Sequence, residues 1–284
     1  MVEMTSWLEG IGIKSTGTRI DTIKADLESF HPLSSFDSRF FSGSPINKSF
    51  YAFSDANSFS RIYRSFKKLK QDHLPKAKIR EMLTGPQYSY EEIKGDPNIN
   101  PRSTQFELEM ASSLIDGGCM LQNFEDVTVA YNNFKVSLQC KRPFDFRNVK
   151  SSIESAYSQL NKNNNLAQFN NRGFIVLSVE KMYGFDSTVE SLAHPQDIDI
   201  KIHRLAQEFI SDYKSTWTSL LNKNLIGILL MFKIMASHKT ETDTVHSEAL
   251  IQSETVIGIQ LFRTGLIEFA NQKIFDHFLK IFKG

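Results

Sequence analysis

The segment FEDVTVAYNNFKVSLQCK, residues 124–141, restricts the possible folds more than any other stretch of the chain. Alternating apolar and polar residues flank the pair Asn132-Asn133, and Asn tolerates the positive φ that tight hairpin turns require. A two-residue turn there opposes Val127 to Leu138, Val129 to Val136 and Tyr131 to Phe134, and all six side chains fall on one face. The other face pairs Thr128 with Ser137 and Asp126 with Gln139, with opposed Cβ atoms about 5 Å apart. Lys141, two residues beyond Gln139, points to that same side, and Cys140 points to the core. A slip of one residue would bury Asp126 and Lys141 among apolar side chains, so the pattern specifies its own register.

The run GFIVLSV, residues 173–179, is apolar without alternation, as in a strand covered on both faces. Helices to cover it are predicted over 104–116, closed by Gly117-Gly118, and over 147–162, with Val149, Ile153, Ala156 and Leu160 on one stripe. A longer helix is predicted over 200–221, with Ile202, Leu205, Phe209, Tyr213 and Leu220 inward. Further strands are expected at 225–236 and 250–262, and an amphipathic helix carrying Phe269, Phe278 and Phe282 at 265–282. Residues 1–95 read as a mostly helical region, with helices at 20–30 and across 58–82, the latter broken at Pro75. The stretch GDPNINP, residues 95–101, marks the boundary to a second region, 96–284. This order indicates an α/β chain: a mixed sheet flanked by helices, with a mostly helical N-terminal region.

A chain of 284 residues, 40% hydrophobic and 23% charged, can bury a sizeable core, which excludes a disordered protein. The net charge of +1 means that any nucleic-acid site depends on local patches. One such patch is the run Arg61, Arg64, Lys67, Lys68, Lys70, Lys76, Lys78 and Arg80, opposed only by Asp72 and Glu81. It reads either as a solvated helix face or as a phosphate-contacting surface with Lys67 and Lys68 among its contacts. Cys119 and Cys140 give neither a disulfide framework nor zinc spacing and fit a reducing cytoplasm. No signal peptide is expected, and the greasiest segment, 225–236, is too short to span a bilayer and is interrupted by Lys233, so no membrane association is expected. The histidines form no zinc motif, and there is no Gly-rich phosphate loop or G-x-S-x-G elbow. Near the C-terminus, Ile274, Phe275 and Phe278 serve either the core or a homodimer surface.

The polar face of the hairpin admits two readings. One is an ordinary sheet face with a cross-strand ion pair between Asp126 and Lys141. The other is a divalent-cation site: the Asp126 carboxylate, the Gln139 amide oxygen and the Cys140 backbone carbonyl are the oxygen ligands that Mg²⁺ takes, with Lys141 beside them. On the preceding helix Glu107 shares a face with Met110, Ala111 and Leu114 and leans toward the sheet, while Glu109, Ser113 and Asp116 take the polar side. Thr104-x-x-Glu107 also reads as a capping box, which accounts for Glu107 without catalysis.

Phe106-Glu107-Leu108, then Asp126, then Gln139-Cys140-Lys141-Arg142-Pro143 resembles the PD-(D/E)xK, or restriction-endonuclease-like, nuclease superfamily. AYSQL (residues 156–160) and RGFIVLSVEK (172–181) resemble the continuation in bacterial members, so the likeness covers about residues 80–185. It implies a restriction-endonuclease-like mixed sheet and a nuclease that uses Mg²⁺ or Mn²⁺ to hydrolyse phosphodiester bonds. DNA is the expected substrate, and restriction or phage defence the expected setting. Asp126 would be the principal metal ligand, Glu107 would bind the metal directly or through water, and Lys141 would orient the attacking water or stabilise transition-state charge. Arg142, Arg147 and Lys150 would contact phosphates, and Gln159 and Tyr157 would support the site. Gln139 stands where the commonest motif has an acid. Some branches use Gln there, but the departure keeps open a catalytically inactive module that binds nucleic acid or a protein partner.

Overall fold

The computed structural model describes residues 1–29, 48–95, 100–124, 127–164, 170–186, 189–192, 197–220, 224–238, 250–256, 274, 276–278 and 280–282. The helices are α1 (Val2–Gly10), α2 (Arg19–Ser29), α3 (Lys48–Phe66), α4 (Lys76–Met82), α5 (Asn100–Asp116), α6 (Val149–Asn164), α7 (Asp197–Asp212) and α8 (Lys214–Leu220). The strands are β1 (Met120–Asn123), β2 (Val127–Tyr131), β3 (Phe134–Lys141), β4 (Asn171–Ser178), β5 (Val189–Leu192), β6 (Leu225–His238) and β7 (Leu250–Val256). The architecture is therefore α/β with a helical N-terminal region. The chain divides into two units: Met1–Glu109 with Gly184–Ile198 and Ile234–Glu254, and Met110–Tyr183 with Asp199–Lys233 and Thr255–Gly284.

In the first unit α3 packs on α1 and α2 around Met4, Leu8, Ile20, Ile23, Phe59, Ile62 and Phe66. Pro75 immediately precedes α4, the break expected from its missing N–H. α3 begins at Lys48, well before residue 58; its early buried positions mix Tyr51 and Ala52 with Ser54 and Asp55, which interrupts the apolar stripe. α5 begins at Asn100 rather than at 104, since Pro101 is tolerated in a first helical turn. Thr104 is consequently buried inside the helix, and Thr104-x-x-Glu107 is not a capping box. Arg19 joins α2 to the Met82 carbonyl at 2.8 Å and to Gln105 Oε1 at 2.9 Å. Asp55 on α3 lies 2.6 Å from Arg102 and 3.5 Å from Arg19, and Gln105 donates to Glu109 Oε1 at 3.1 Å. In this unit β5 runs parallel to the end of β6, with Val189 opposite Met235.

The second unit is built on a five-stranded mixed sheet in the order β1-β2-β3-β4-β6. β1, β2 and β3 are antiparallel neighbours, and β3, β4 and β6 run parallel. The β2–β3 pairing has the expected register, Val127 with Leu138, Val129 with Val136 and Tyr131 with Phe134, and Asn132 adopts φ +52° in the turn. β4 is buried along its whole length between its two parallel partners. α6 packs on β3 and β4 through the Val149, Ile153, Ala156 and Leu160 stripe.

α5 ends as its two glycines suggest: Gly118 takes φ +79°, and the N–H groups of Gly118 and Cys119 bond the carbonyls of Ile115 and Leu114. The single helix expected over 200–221 is two helices, with a turn at Tyr213 before the Ser/Thr-rich segment KSTWTSL, whose helix propensity is low. Tyr213 donates from its hydroxyl to the Phe146 carbonyl at 2.8 Å. The C-terminal helix is described at 274, 276–278 and 280–282. Its Ile274, Phe278 and Phe282 are buried, and the Phe278 ring lies 6.0 Å from Tyr131 and 5.6 Å from Phe174. Ile274 and Phe278 thus belong to the chain's own core and do not offer a homodimer surface; Phe269 and Phe275 lie outside the described residues, as does the rest of the expected 250–262 strand.

Candidate functional site

The alternation along β2, β3 and β4 sorts the site. Val127, Val129, Tyr131, Phe134, Val136, Leu138 and Phe174 share one face by register, and Phe278 of the C-terminal helix packs there. Thr128, Ser137, Gln139, Lys141, Ile175 and Leu177 share the other. Thr128 and Ser137 join through their hydroxyls at 2.9 Å and are fully covered, and Gln139 is only 6% exposed. The polar face is thus buried for most of its length, and Lys141, at the C-terminal end of β3, is its more accessible member. Two layers explain this: α6 covers the second face, and the C-terminal helix the first.

Lys141 donates from Nζ to Gln159 Oε1 at 2.6 Å, a short bond of the charge-assisted kind. β3 presents the lysine and α6 presents the amide, from a position flanking the stripe that seats the helix. Lys141 and Gln159 are both expected site residues, and the fold joins them. Tyr157 is half-buried on the opposite flank of that stripe, about 160° around the helix from Gln159. Cys140 is buried and opposite Val176, so its backbone lies in the stretch of β3 paired with β4.

The other expected residues are distributed differently. Asp126, the expected principal ligand, lies outside the described residues. Glu107 is in the first unit, where Lys78 Nζ stands 2.5 Å from its Oε2. It is not the more buried acid of α5: Glu109 is, at 8% exposure, and Ser113 is buried with it. The sequence assigned Glu109 and Ser113 to a polar side, but α5 is covered there as well, with Gln105 bonding Glu109. Arg142 is turned to Glu180 at 3.3 Å, with little of either side chain exposed, so its guanidinium is engaged within the fold. Arg147 is 84% exposed and 3.0 Å from Asp145, and Lys150 is exposed and 4.0 Å from Glu154 one helical turn on. Lys67 and Lys68 are exposed in the first unit.

Glu180 and Lys181 were not among the expected site residues. Glu180 holds Arg142, and Lys181 Nζ lies over the Phe144 ring at 4.8 Å, so together they pin the segment that follows Lys141. Their signal was positional: they follow β4 at its C-terminal end, and the carboxyl ends of parallel strands are where α/β sheets bind ligands. Among the described residues no three His, Cys, Asp or Glu side chains converge as a metal site would require. A scan against protein-family models finds no match, and a search of the curated proteins finds none.

Proposed function

We propose that the chain is a divalent-metal-dependent phosphodiesterase that cuts DNA, on a restriction-endonuclease-like core. The observation that carries this reading is the Lys141–Gln159 bond at the C-terminal end of β3, two residues beyond the buried Gln139. An ammonium held there by a neutral amide is suited to stabilising charge on a phosphate oxygen or to orienting the attacking water. Gln159 fixes the position of Nζ, and Arg147 and Lys150 extend positive charge along the following segment for phosphate contact. The donor chemistry fits a hard cation, because the Gln139 amide, the Cys140 carbonyl and the Asp126 carboxylate are all oxygen ligands. When bound, Mg²⁺ or Mn²⁺ would supply Lewis-acid activation of the phosphate and of water.

Two observations favour a second reading, a module that binds nucleic acid without cutting. Gln139 supplies a neutral oxygen where an acid would bind metal more tightly, and Glu107 is neutralised by Lys78. Plasmid cleavage with Mg²⁺ or Mn²⁺ separates the two. The nuclease reading expects cutting by the wild type, none by Lys141→Ala, and a loss of roughly tenfold or more in Gln159→Leu from the missing charge-assisted bond. Cutting that survives in Lys141→Ala rejects the site, and a folded wild type that cuts with neither metal supports the binding module.

A further inference from the structure

The segment between Lys141 and α6 holds one large aromatic ring in solvent. Phe146 is 44% exposed, between the half-buried Asp145 and the exposed Arg147. Its backbone is nevertheless fixed. The Phe146 carbonyl accepts the Tyr213 hydroxyl at 2.8 Å, and the Asn148 N–H donates to the Asp145 carbonyl at 3.1 Å, closing a single 3-10 turn that leads into α6. The residues before it are held by Arg142 against Glu180 and by Phe144 under Lys181. Isolated apolar residues on a surface need no function. Phe146 differs in being pinned at its backbone and tied to the candidate site.

A chain of ring contacts makes that tie. Lys141 pairs with Leu177 and Leu177 with Leu230, so the three share a face, and alternation along β6 puts Phe232 on it too. Tyr183 meets Phe232 at 5.8 Å and Phe146 at 5.2 Å. All of these residues belong to the second unit. Phe146 follows Lys141 by five positions, a reach of at most about 18 Å, which one DNA strand covers in about five nucleotides. The Phe146 and Tyr183 rings stand at 87° to each other. Whichever ring offers its edge, at least one face of Phe146 lies outside the pair.

We propose that Phe146 stacks on an unpaired base of bound DNA, so that the chain takes single-stranded or frayed DNA in preference to a fully paired duplex. This rests on the phosphodiesterase reading and deepens it by naming the form of the substrate. One ring is too small a patch for a protein interface or a bilayer, but it matches the π-face of one base. A duplex hides its base faces in the stack, whereas a single strand leaves them open to aromatic side chains. Arg147, next in the chain, suits a phosphate of the same strand; its pair with Asp145 at 3.0 Å leaves the Arg147 side chain 84% exposed, and such a surface pair is weak.

The test is fluorescence anisotropy of the full chain in EDTA with three probes of equal length: a mixed-sequence single strand, its duplex, and a single strand of abasic sites that keeps the phosphates and lacks the bases. The wild type is expected to bind the base-bearing single strand most tightly. Phe146→Ala should weaken that binding by about tenfold and leave the abasic strand unchanged, while Phe146→Trp retains it. Phe146→Leu keeps apolar bulk beside Tyr183 and should lose the same binding, which separates stacking from a folding defect. Equal wild-type affinity for the base-bearing and abasic strands overturns the proposal, as does an unchanged affinity in folded Phe146→Ala or a preference for the duplex. Cleavage by the wild type and by Lys141→Ala, measured with metal, judges the catalytic reading separately. Base-dependent binding that Phe146→Ala and Phe146→Leu abolish, in a protein that never cuts, upholds the stacking residue while removing the nuclease.

Discussion

Gly117 tests how the second unit is assembled. A Cβ built on it would lie 2.6 Å from Ile281 Cγ1, 2.8 Å from Cγ2 and 2.9 Å from Cδ1. All three are closer than carbon atoms tolerate, and a β-branched side chain has few rotamers with which to retreat. Gly117→Ala must therefore displace the C-terminal helix, whose Phe278 packs on Tyr131 of the hairpin. Overpacking costs about 1–3 kcal/mol, and the reduced freedom of the unfolded chain returns about 0.4–1 kcal/mol, leaving a net loss of about 1–2 kcal/mol. Urea unfolding of Gly117→Ala, Ile281→Ala and the double variant measures it. In the Ile281→Ala background the added methyl finds room, so its cost should vanish or reverse, giving a coupling of about 1 kcal/mol or more. Gly118→Ala is the control: nothing lies within 4 Å of its Cβ, its penalty comes from φ +79°, and Ile281→Ala should not relieve it. If Gly117→Ala is neutral, or costs the same in both backgrounds, the close approach of the two segments is wrong.

Two other outcomes follow from buried charge and titration. Asp55 lies between two buried guanidinium groups, Arg19 and Arg102, so Asp55→Ala should cost about 3–5 kcal/mol in urea unfolding; a loss below about 1 kcal/mol would remove this network from the first unit's stability. Burial and the Lys280 ammonium hold His277 below its ordinary pKa, and its Nε2 sits 3.9 Å from Cys119 Sγ against the Tyr131 ring. Its contribution to stability is full above the unfolded value of about 6.5 and declines as pH falls toward the lower folded value, because the unfolded chain takes up the proton first. His277→Gln should flatten the acid side of the melting-temperature profile in that window, and an unchanged profile would assign the acid sensitivity to other groups.

Several elements were legible because their information is local. The hairpin register follows from two alternating runs and Asn132, whose positive φ the fold adopts. The unalternating run in β4 announced a strand covered on both faces, and α6 on one face with Phe278 of the C-terminal helix on the other accounts for it. The α6 stripe had helical period and is fully buried. Where reading failed, polar residues were doing the packing. The start of α3 hides Ser54 and Asp55 beside Tyr51 and Ala52, and α5 turns Gln105 and Glu109 inward beside its apolar residues, so hydrophobicity announces only part of each buried side.

The same division runs through the candidate site. Periodicity determined that Gln139 and Lys141 share a face and that Gln159 flanks the buried stripe of its helix, since both follow from fixed repeats of strand and helix. Whether Lys141 and Gln159 meet depends on how α6 lies across β3, and only the tertiary structure brings them to 2.6 Å. Glu107 was assigned a sheet-facing role from spacing alone, but its partner is Lys78, distant in sequence. Repeats along the chain specify which side chains point the same way; what stands opposite them is decided by packing between segments, where the long-range contacts form.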